Sequence, residues 1–387
     1  MTPLPLYLDY AATSALRPPS VGEAVRAYLT DVGATPGRAG HSRALEAGRL
    51  VLRCRRAIAR LLGIEGDPAR LVFQMNATHA LNTALFGLVK PGDVVVRTAY
   101  DHNSVRRPVA ALAERGAEER VLTGRPDGGV DLDELRDLLS GPGRQPRLLT
   151  LPHVSNVTGV EFPVRQMAEL AHEAGALVLL DAAQSVGHRP VDVSDLGVDL
   201  LAFTGHKGLL GPQGVGGLWV REGLQLAPLL YGGTGSQSED TAMPAALPDR
   251  LEAGSQNAPG IAGLLAGVEW VVAEGIPKLH EREMALKAEL VSSLAALPNV
   301  DVRSPAAPGG GAIVMLTCPA VAPAELAWRL ESEHGIEARA GLHCAPGAHE
   351  AIGTLATGAL RLSIGWATTA VDIRRVVEAL ARITHSM

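Results

Sequence analysis

Five short apolar runs, separated by segments of helical periodicity, constrain the fold of this chain more than any other feature. The runs are Leu71–Phe73, Val94–Val96, Leu148–Leu151, Leu177–Leu180 and Leu200–Phe203. None of them alternates polar with apolar residues, which is typical of strands that are covered on both faces of a sheet. Helical patterns lie between them at Ala80–Val89, Asp131–Leu139 and Val164–Ala174. The alternation predicts an α/β fold with a mostly parallel sheet.

The pattern changes after about Pro259. It continues with a long helical stretch from Ile261 to about Leu297, a strand at Ala312–Leu316, and helices at Pro323–His334 and Val371–Ile383. This order predicts a smaller α+β domain at the C-terminal end. We expect a large domain over residues 15–260, and a small domain that combines residues 1–14 with residues 261–387.

Composition narrows the class of protein. Hydrophobic residues make up 47% of the 387 positions and charged residues 20%, which predicts a globular chain. The net charge of −6, without a basic run, does not indicate a nucleic-acid partner. No apolar stretch reaches the roughly 18 to 20 residues of a membrane span, and Met1–Tyr10 lacks the pattern of a signal peptide. We therefore expect a cytoplasmic protein that has no membrane contact.

The three cysteines are too few and too scattered to predict a disulfide framework. They are Cys54, Cys318 and Cys344. None of them stands in a C-x-x-C spacing, so a cysteine-based zinc site is not expected either.

Two motifs that follow apolar strands indicate chemistry. Asp181 ends one strand and Lys207 follows another, 26 residues later, and ligands of open α/β sheets lie at the carboxyl ends of the strands. A buried lysine loses its proton more readily and can form an imine with an aldehyde. From these segments alone, Asp181 could equally cap the next helix and Lys207 could be a surface residue. The five glycines of Gly208–Gly217 favour a close backbone approach instead.

Two further segments give weaker signals. Met75–Ala80 (MNATHA) opens a helix after a strand, and the amides of a helix N-terminus together with the Thr78 hydroxyl suit a phosphate. A plain Asn or Thr N-cap is the structural alternative. His102 also follows a strand, but a lone histidine is more often a hydrogen-bonded structural residue.

Taken together, these segments resemble the class V aminotransferase group of fold-type I pyridoxal-phosphate (PLP) enzymes. The central match is Asp181–Gln184 (DAAQ) followed by Thr204–Lys207 (TGHK). Three further segments resemble those of cysteine desulfurases and selenocysteine lyases, namely Tyr7–Thr13 (YLDYAAT), Leu251–Asn257 (LEAGSQN) and Arg339–Pro346 (RAGLHCAP). Leu360–Gly365 (LRLSIG) is similar to the family's carboxylate-binding arginine segment. The resemblance covers nearly the whole chain and implies a sheet of the seven-stranded type.

The resemblance also implies roles for single residues at the cofactor ring. Lys207 would carry PLP as a Schiff base and move protons. Asp181 would keep the pyridine nitrogen protonated, which makes the ring an electron sink. His102 would stack on the ring, Gln184 would bond its phenolic oxygen, and Asn156 would face the ring or the substrate.

Other residues would hold the phosphate and the substrate. The phosphate would be bound by Ala77, Thr78, His79, Thr204 and His206. Ser255 would reach the cofactor of a second subunit, which implies a homodimer with shared active sites. Arg361 would grip the substrate carboxylate in a bidentate fork. Ala11 and His41 would join Asn156 in the substrate shell.

Cys344 would decide the reaction. The resemblance implies a cysteine desulfurase that converts L-cysteine to L-alanine and forms a persulfide on Cys344. A thiolate is favoured beside cations, which His343 and the PLP site could supply. The alternative for Cys344 taken alone is a small buried core residue. The compact cysteine loop favours sulfur transfer to a small acceptor protein that reaches the site, or to a small thiol.

One departure and several other functions stay open. His79 stands where the family commonly has glutamate, which could alter the hydrogen bonds near the phosphate. The same cofactor site would also serve a selenocysteine lyase, another C–S lyase or an epimerase. Alternatives of other classes are a non-catalytic PLP-binding module and a nucleotide-binding enzyme. For the second of these the chain lacks a G-x-G-x-x-G motif after the first strand and a Walker A motif.

Overall fold

A seven-stranded sheet lies at the centre of the computed structural model, which describes residues 5–37, 40–141, 143–305 and 310–385. The strands are β1 Leu6–Tyr7, β2 Leu71–Gln74, β3 Val94–Thr98, β4 Glu118–Leu122, β5 Pro146–Pro152, β6 Leu177–Asp181, β7 Leu200–Thr204, β8 Gly216–Val220, β9 Asp301–Val302, β10 Ile313–Thr317, β11 Ile336–Glu337, β12 Arg339–Gly341 and β13 Ala359–Ser363. The helices are α1 Pro19–Ala27, α2 Ser42–Leu61, α3 Ala77–Leu88, α4 Asn103–Glu114, α5 Leu132–Ser140, α6 Val164–Glu173, α7 Val193–Leu196, α8 Ala258–Glu274, α9 Ile276–Ala295, α10 Pro323–His334, α11 Pro346–Ala351 and α12 Ala370–His385.

The large sheet has the strand order β2-β8-β7-β6-β5-β3-β4. Strand β8 is antiparallel to both of its neighbours, whereas the other pairs are parallel. The predicted α/β class with a mostly parallel sheet is thereby confirmed. The five apolar runs are the strands β2, β3, β5, β6 and β7, each extended by one or more residues.

Both faces of this sheet are buried, which explains the continuous apolar runs. Leu179 and Leu200 contribute to the core on one face, together with residues of α3 and α4. Leu180 and Leu201, one position further along, contribute to the core on the other face with residues of α2 and α6. Because successive side chains of a strand point to opposite faces, each position must be apolar when helices cover both.

A smaller antiparallel sheet has the order β12-β13-β10-β9. Strand β1 pairs in parallel with β11 beside it, so the beginning of the chain packs with its end. Leu6 and Leu8 accordingly share a core with apolar residues of α9, α10 and α12. The assignment of residues 1–14 and 261–387 to one domain, and of 15–260 to the other, stays a prediction.

The expected long helix from Ile261 to about Leu297 is wrong. The structure has two helices there, α8 and α9, whose axes differ in direction by 78°. Gly275 lies between them with φ at 86°, a conformation that favours glycine, and Pro277 follows in the first turn of α9. The other predicted helices are present with ends shifted by a few residues. For example, α3 begins at Ala77 and not at Ala80.

No single helix in the described part of the chain is both long and apolar enough to cross a membrane. The pair α8 and α9 reaches the required length and hydropathy only when the two are counted together, across the 78° bend. Much of α8 is buried in the core, which accounts for its apolar composition.

A buried ion pair attaches the segment before α8 to the edge of the large sheet. Arg55 of α2 and Glu252 form two hydrogen bonds, of 2.7 and 3.0 Å, and their side chains are only 5% and 4% exposed. Glu252 also accepts the backbone N–H of Phe73 in β2. The pair therefore fixes the loop that carries Ser255 against the sheet.

Replacing Glu252 with alanine is expected to lower the free energy of unfolding by about 3–5 kcal/mol, because the Arg55 guanidinium would stay buried without its counter-charge. Glu269→Ala is the matched control. Glu269 pairs with Arg53, which lies on α2 like Arg55, but the side chains of Glu269 and Arg53 are both more than half exposed. This control should change the free energy by about 0–1 kcal/mol. Urea unfolding curves measure both values, and equal losses in the two variants would contradict the prediction.

Candidate active site

A cavity of about 240 Å³ opens at the carboxyl edge of the large sheet. Asp181 is the last residue of β6, Thr204 is the last residue of β7, and Lys207 lies in the turn that follows β7. Because neighbouring parallel strands end at the same edge, residues distant in sequence face one space. The predicted residues that line this cavity are Ala77, Thr78, His102, Asn156, Asp181, Gln184, Thr204, His206 and Lys207.

Burial governs the charges of Lys207 and Asp181. It lowers the pKa of Lys207 to about 8; the Asp181 carboxylate opposes this shift and the Arg361 guanidinium adds to it. Burial likewise raises the pKa of Asp181, against a hydrogen bond of 3.0 Å from the N–H of Ala183. The Lys207 amine therefore loses its proton more readily than an ordinary lysine, whose pKa is about 10.4, as imine formation with an aldehyde requires.

The N-terminus of α3 forms another wall of the cavity. The Asn76 side chain caps this helix by accepting the N–H of His79 at 2.9 Å. The cap therefore uses the His79 amide, and the His79 ring faces a neighbouring hollow instead of the cavity. Of the three residues expected at this end of a phosphate, Ala77 and Thr78 line the cavity and His79 does not.

His102 serves as a helix cap and also lines the cavity. Its Nδ1 accepts the N–H of Ser104 at 3.0 Å at the start of α4. Burial, reinforced by the charge of Lys207, lowers the pKa of His102 to about 4. The ring is therefore neutral near pH 7 and carries its proton on Nε2. The structural interpretation of this histidine is therefore confirmed, and its contact with a cofactor stays a prediction.

The donor set fits the cofactor that the resemblance implies. Thr204 Oγ1 is buried and has no hydrogen-bond partner among the described residues. This hydroxyl lines the same cavity as the N-terminus of α3 and the Asp181 carboxylate. The hydroxyl and the helix N-terminus offer hydrogen-bond donors, whereas the carboxylate accepts hydrogen bonds. Hydroxyls and amides suit a phosphate, a carboxylate suits a protonated pyridine nitrogen, and an amine of low pKa suits an aldehyde.

The glycine-rich segment Gly208–Gly217 packs closely against the backbone of neighbouring segments of the protein. A Cβ at Gly216 would lie 2.6 Å from the carbonyl oxygen of Phe203 and 2.9 Å from Cα of Asn76. The absence of a side chain therefore lets β8 pack directly under the start of α3. The close backbone approach predicted for Gly208–Gly217 is present, and its partner at this position is protein.

Arg361 lies behind the cavity and shares a carboxylate with a second arginine. Its Nη2 donates to Asp9 Oδ1 at 2.8 Å and its Nη1 to the carbonyl of Asn156 at 2.9 Å. Arg339 donates to the other oxygen of Asp9 at 2.9 Å. The Nε–H of Arg361 is buried and has no hydrogen-bond partner in the described ranges. These two bonds use two of the five N–H donors of the guanidinium, so that donors including the Nε–H remain that could bind a carboxylate.

Cys344 is exposed, whereas Cys54 and Cys318 are buried. The carbonyl of Cys344 accepts the N–H of Asn103 at 2.8 Å, which places this residue beside His102. The interpretation of Cys344 as a small buried core residue is therefore wrong.

His343 does not supply a cation to Cys344. Burial, reinforced by the charge of Arg361, lowers the pKa of His343 to about 3, so its ring is neutral. The ring bonds to His349 at 3.1 Å and to the carbonyl of Arg339 at 3.2 Å. The positive charge near the thiol comes instead from arginine, because Arg361 interacts electrostatically with Cys344.

Besides Arg361 and Cys344, four of the expected site residues do not line the Lys207 cavity, namely Ser255, His79, His41 and Ala11. Ser255 is exposed and lies with His79 at the hollow of about 110 Å³ next to it. His41 is exposed and caps α2 by accepting the N–H of Ala44. The carbonyl of Ala11 accepts the Gln184 amide at 2.9 Å, so part of the hydrogen-bonding capacity of Gln184 is already used within the protein.

Sequence reasoning missed three residues that shape the site. Asp9 lies inside the motif Tyr7–Thr13, but nothing local shows that it meets Arg361, which is 352 positions away. Asn76 was noted only as a structural alternative. Asp101 is fully buried, and burial raises its pKa to about 8 beside Asp181; only the fold reveals that burial.

Comparison with known proteins gave a matching family and several similar proteins. Residues 6–376 match the model of the family described as aminotransferase class-V. A probable cysteine desulfurase of Methanothermobacter thermautotrophicus is 33% identical over 384 residues, which is 98% of this chain and 94% of that protein.

Two solved structures resemble the whole chain. The apo structure of a cysteine desulfurase from Thermococcus onnurineus superposes with a TM-score of 0.92 at 30% identity, over 99% of this chain and 95% of that one. The cysteine desulfurase CsdA of Escherichia coli, solved with an S-sulfonic acid, superposes with a TM-score of 0.88 at 28% identity and covers the same shares.

The buried histidines predict a loss of stability in mild acid. In the folded protein the pKa values of His343 and His349 are lowered to about 3 and 4 by burial, whereas an unfolded histidine has a pKa of about 6.5. Between about pH 6.5 and 4 the unfolded chain therefore binds more protons than the folded protein. As the pH is lowered through this range, the free energy of unfolding decreases by up to about 1.4 kcal/mol per pH unit for each histidine. Urea unfolding at several pH values measures the slope. It should be shallower in His349→Gln, and equal slopes would refute the prediction.

Proposed function

The chain belongs to the aminotransferase class-V family, and on that premise we propose that it is a PLP-dependent cysteine desulfurase that converts L-cysteine to L-alanine. One observation supports this most strongly. The Lys207 amine, with a pKa lowered to about 8, shares a cavity with the buried Asp181 carboxylate. The exposed Cys344 is hydrogen-bonded through its carbonyl to Asn103, which directly follows the cavity-lining His102.

The cofactor would be held from three sides. Lys207 would bind its aldehyde, Asp181 its ring nitrogen, and Ala77, Thr78, Thr204 and His206 its phosphate. When bound, PLP supplies an electron sink for the bonds at the substrate Cα. Burial lowers the pKa of His206 to about 4, so that its ring would meet the phosphate as a neutral hydrogen-bonding group.

The protein would fix the substrate through its carboxylate. The Nε–H of Arg361 lacks a partner among the described residues, and its guanidinium is held in place by Asp9 and by the Asn156 carbonyl. A guanidinium fixed in this way needs little further ordering to bind a carboxylate. After the substrate amine replaces it, the Lys207 amine would take the proton from Cα, because its pKa of about 8 is close to neutral pH.

Sulfur transfer would take place at Cys344. Its thiolate attacks the substrate sulfur, an S–S bond forms and the C–S bond breaks. The electron pair of the broken bond stays on the carbon side, where a proton is taken up to give alanine. The sulfur remains as a persulfide on Cys344, from which an acceptor thiol, on a small protein or a small molecule, would remove it.

We further propose that the protein is a homodimer with shared active sites. The hollow that contains Ser255 and His79 opens next to the cofactor cavity and has exposed apolar side chains around it. Met75, Leu230 and Tyr231 are 58%, 51% and 75% exposed. A second subunit that covers these side chains would bring its own residues to the phosphate end of the cavity.

Lys207→Ala should remove the visible absorbance band of the protein–cofactor Schiff base, because no other amine lies in the cavity. Borohydride reduction followed by peptide mass spectrometry should place the cofactor on Lys207 in the unchanged protein. Lys278→Ala is the control, since that side chain is exposed on α9. A band that persists in Lys207→Ala would refute the cofactor assignment.

Cys344→Ala should reduce alanine formation from L-cysteine by orders of magnitude, as expected when a nucleophile is removed, and should leave the cofactor spectrum unchanged. Cys318→Ala, which changes a buried cysteine outside the site, serves as the control. If Cys344→Ala retains full turnover of cysteine, the desulfurase proposal fails. If the unchanged protein turns over selenocysteine but not L-cysteine, the chain is better described as a selenocysteine lyase.

A further inference from the structure

Two buried histidines and a threonine form a hydrogen-bonded chain beneath the turn that carries Cys344. Thr354 Oγ1 lies 2.8 Å from His349 Nδ1, His349 Nε2 lies 3.1 Å from His343 Nδ1, and His343 Nε2 lies 3.2 Å from the Arg339 carbonyl oxygen. The two rings are nearly parallel, with an interplanar angle of 21°. None of the three side chains is more than 7% exposed.

The direction of every bond in this chain follows from its last acceptor. A carbonyl oxygen can only accept a hydrogen bond. His343 must therefore carry its proton on Nε2, and its Nδ1 is unprotonated. His349 must then donate from its own Nε2, which leaves its Nδ1 to accept the Thr354 hydroxyl. Both rings are neutral, since burial lowers both of their pKa values well below the usual range. The chain is therefore fully satisfied in a single arrangement of protons.

The turn above this chain has an unfavourable backbone. His343 and Cys344 have φ values of 49° and 58°, so two consecutive non-glycine residues are in the left-handed region. Such conformations persist only where surrounding contacts impose them. Asn156 holds the His343 carbonyl at 2.7 Å and the Asn103 amide holds the Cys344 carbonyl at 2.8 Å. The histidine chain holds the remaining side of the turn, through the His343 ring.

The same chain connects the turn to the site expected to bind the carboxylate. Arg339, whose carbonyl ends the chain, pairs with Arg361 across strands β12 and β13 and shares Asp9 with it. Helix α11, which carries His349, is itself fixed, because a Cβ at Gly347 would lie 2.4 Å from the Ala99 carbonyl oxygen. Both ends of the chain are thus anchored to rigid parts of the protein.

We propose that His349 is a positioning residue that acts through His343 to hold Cys344 in its left-handed turn, at a fixed place relative to Arg361. This inference rests on the proposed function, in which the Cys344 thiol must meet the sulfur of a substrate bound at Arg361. His349 itself is fully buried and does not line the Lys207 cavity, so it is not expected to contact substrate or cofactor. Its contribution is to keep the turn from relaxing to a backbone conformation that would move the thiol.

The test compares three variants of the chain in the full-length holoenzyme. His349→Phe keeps an aromatic ring and removes both hydrogen bonds. His349→Gln places an amide N–H near the position of Nε2 and can still donate to His343. Thr354→Val removes only the hydroxyl that orients His349. His385→Phe, on the exposed end of α12, is the matched control for the loss of a histidine.

Two readouts are measured for each variant. In His349→Phe, hydrogen–deuterium exchange of the peptide that contains Cys344 should rise by about fivefold, the effect of losing one neutral hydrogen bond. The kcat for L-cysteine should fall by about tenfold to a hundredfold through misplacement of the thiol, while KM and the cofactor spectrum stay close to those of the unchanged protein. His349→Gln should recover most of both losses, Thr354→Val should lie between, and His385→Phe should show neither loss.

The proposal is overturned if His349→Phe leaves exchange and kcat unchanged, or if His349→Gln is as impaired as His349→Phe, because the hydrogen bond would then not be the cause. A fall in kcat matched by an equal rise in KM would also overturn it, since that indicates a lost substrate contact. Failure of the proposed function is recognised separately. In that case Cys344→Ala retains turnover, and the exchange of the peptide still shows whether His349 holds the turn.

Discussion

The desolvation of Lys207 beside the buried Asp181 is the interaction on which the rest of this site depends. Parallel pairing of β6 with β7 ends both strands at one edge and so brings the acid and the amine into one cavity. Burial weakens the preference of the amine for its proton, and the carboxylate limits how far that effect goes. The dense core on both faces of the sheet is therefore more than a source of stability, because it limits the contact with water of the two groups that the proposed chemistry needs.

The expected carboxylate and thiol sites are built from segments that are far apart in the sequence. Asp9 follows β1, Arg361 lies in β13, Arg339 lies in β12, and Asn156 follows β5 of the large sheet. The smaller sheet thus presents two arginines to the edge of the larger one, with a single carboxylate between them. Arg361 is also the charged group that interacts electrostatically with Cys344, whereas the His343 ring is neutral.

Much of the site could be predicted from the sequence, because its chemistry is carried by short motifs at the ends of recognisable strands. Asp181, Thr204 and Lys207 follow apolar runs, and the rule that ligands bind at the carboxyl ends of such strands brings them together. The predictions were less successful where a side chain or an amide has competing partners. The Asn76 side chain accepts a hydrogen bond from the His79 N–H, and the Ala11 carbonyl accepts one from the Gln184 side-chain amide. His41 caps a helix away from the cavity. Only the Asn76 cap has a local trace in the sequence, where an Asn N-cap was the structural alternative.

The sequence by itself determined the α/β class, five of the seven strands of the large sheet and the candidate residues for an aldehyde, a phosphate and a carboxylate, since these follow from periodicity and from the chemistry of single side chains. Only the tertiary structure decided the charge of those residues and the partners that orient them. The neutral state of His102 and His343, the pairing of Asp9 with Arg361 and the chain from Thr354 to Arg339 arise from burial and from contacts between distant segments. Burial and these long-range contacts depend on how the whole chain packs, and no short stretch of sequence specifies that packing.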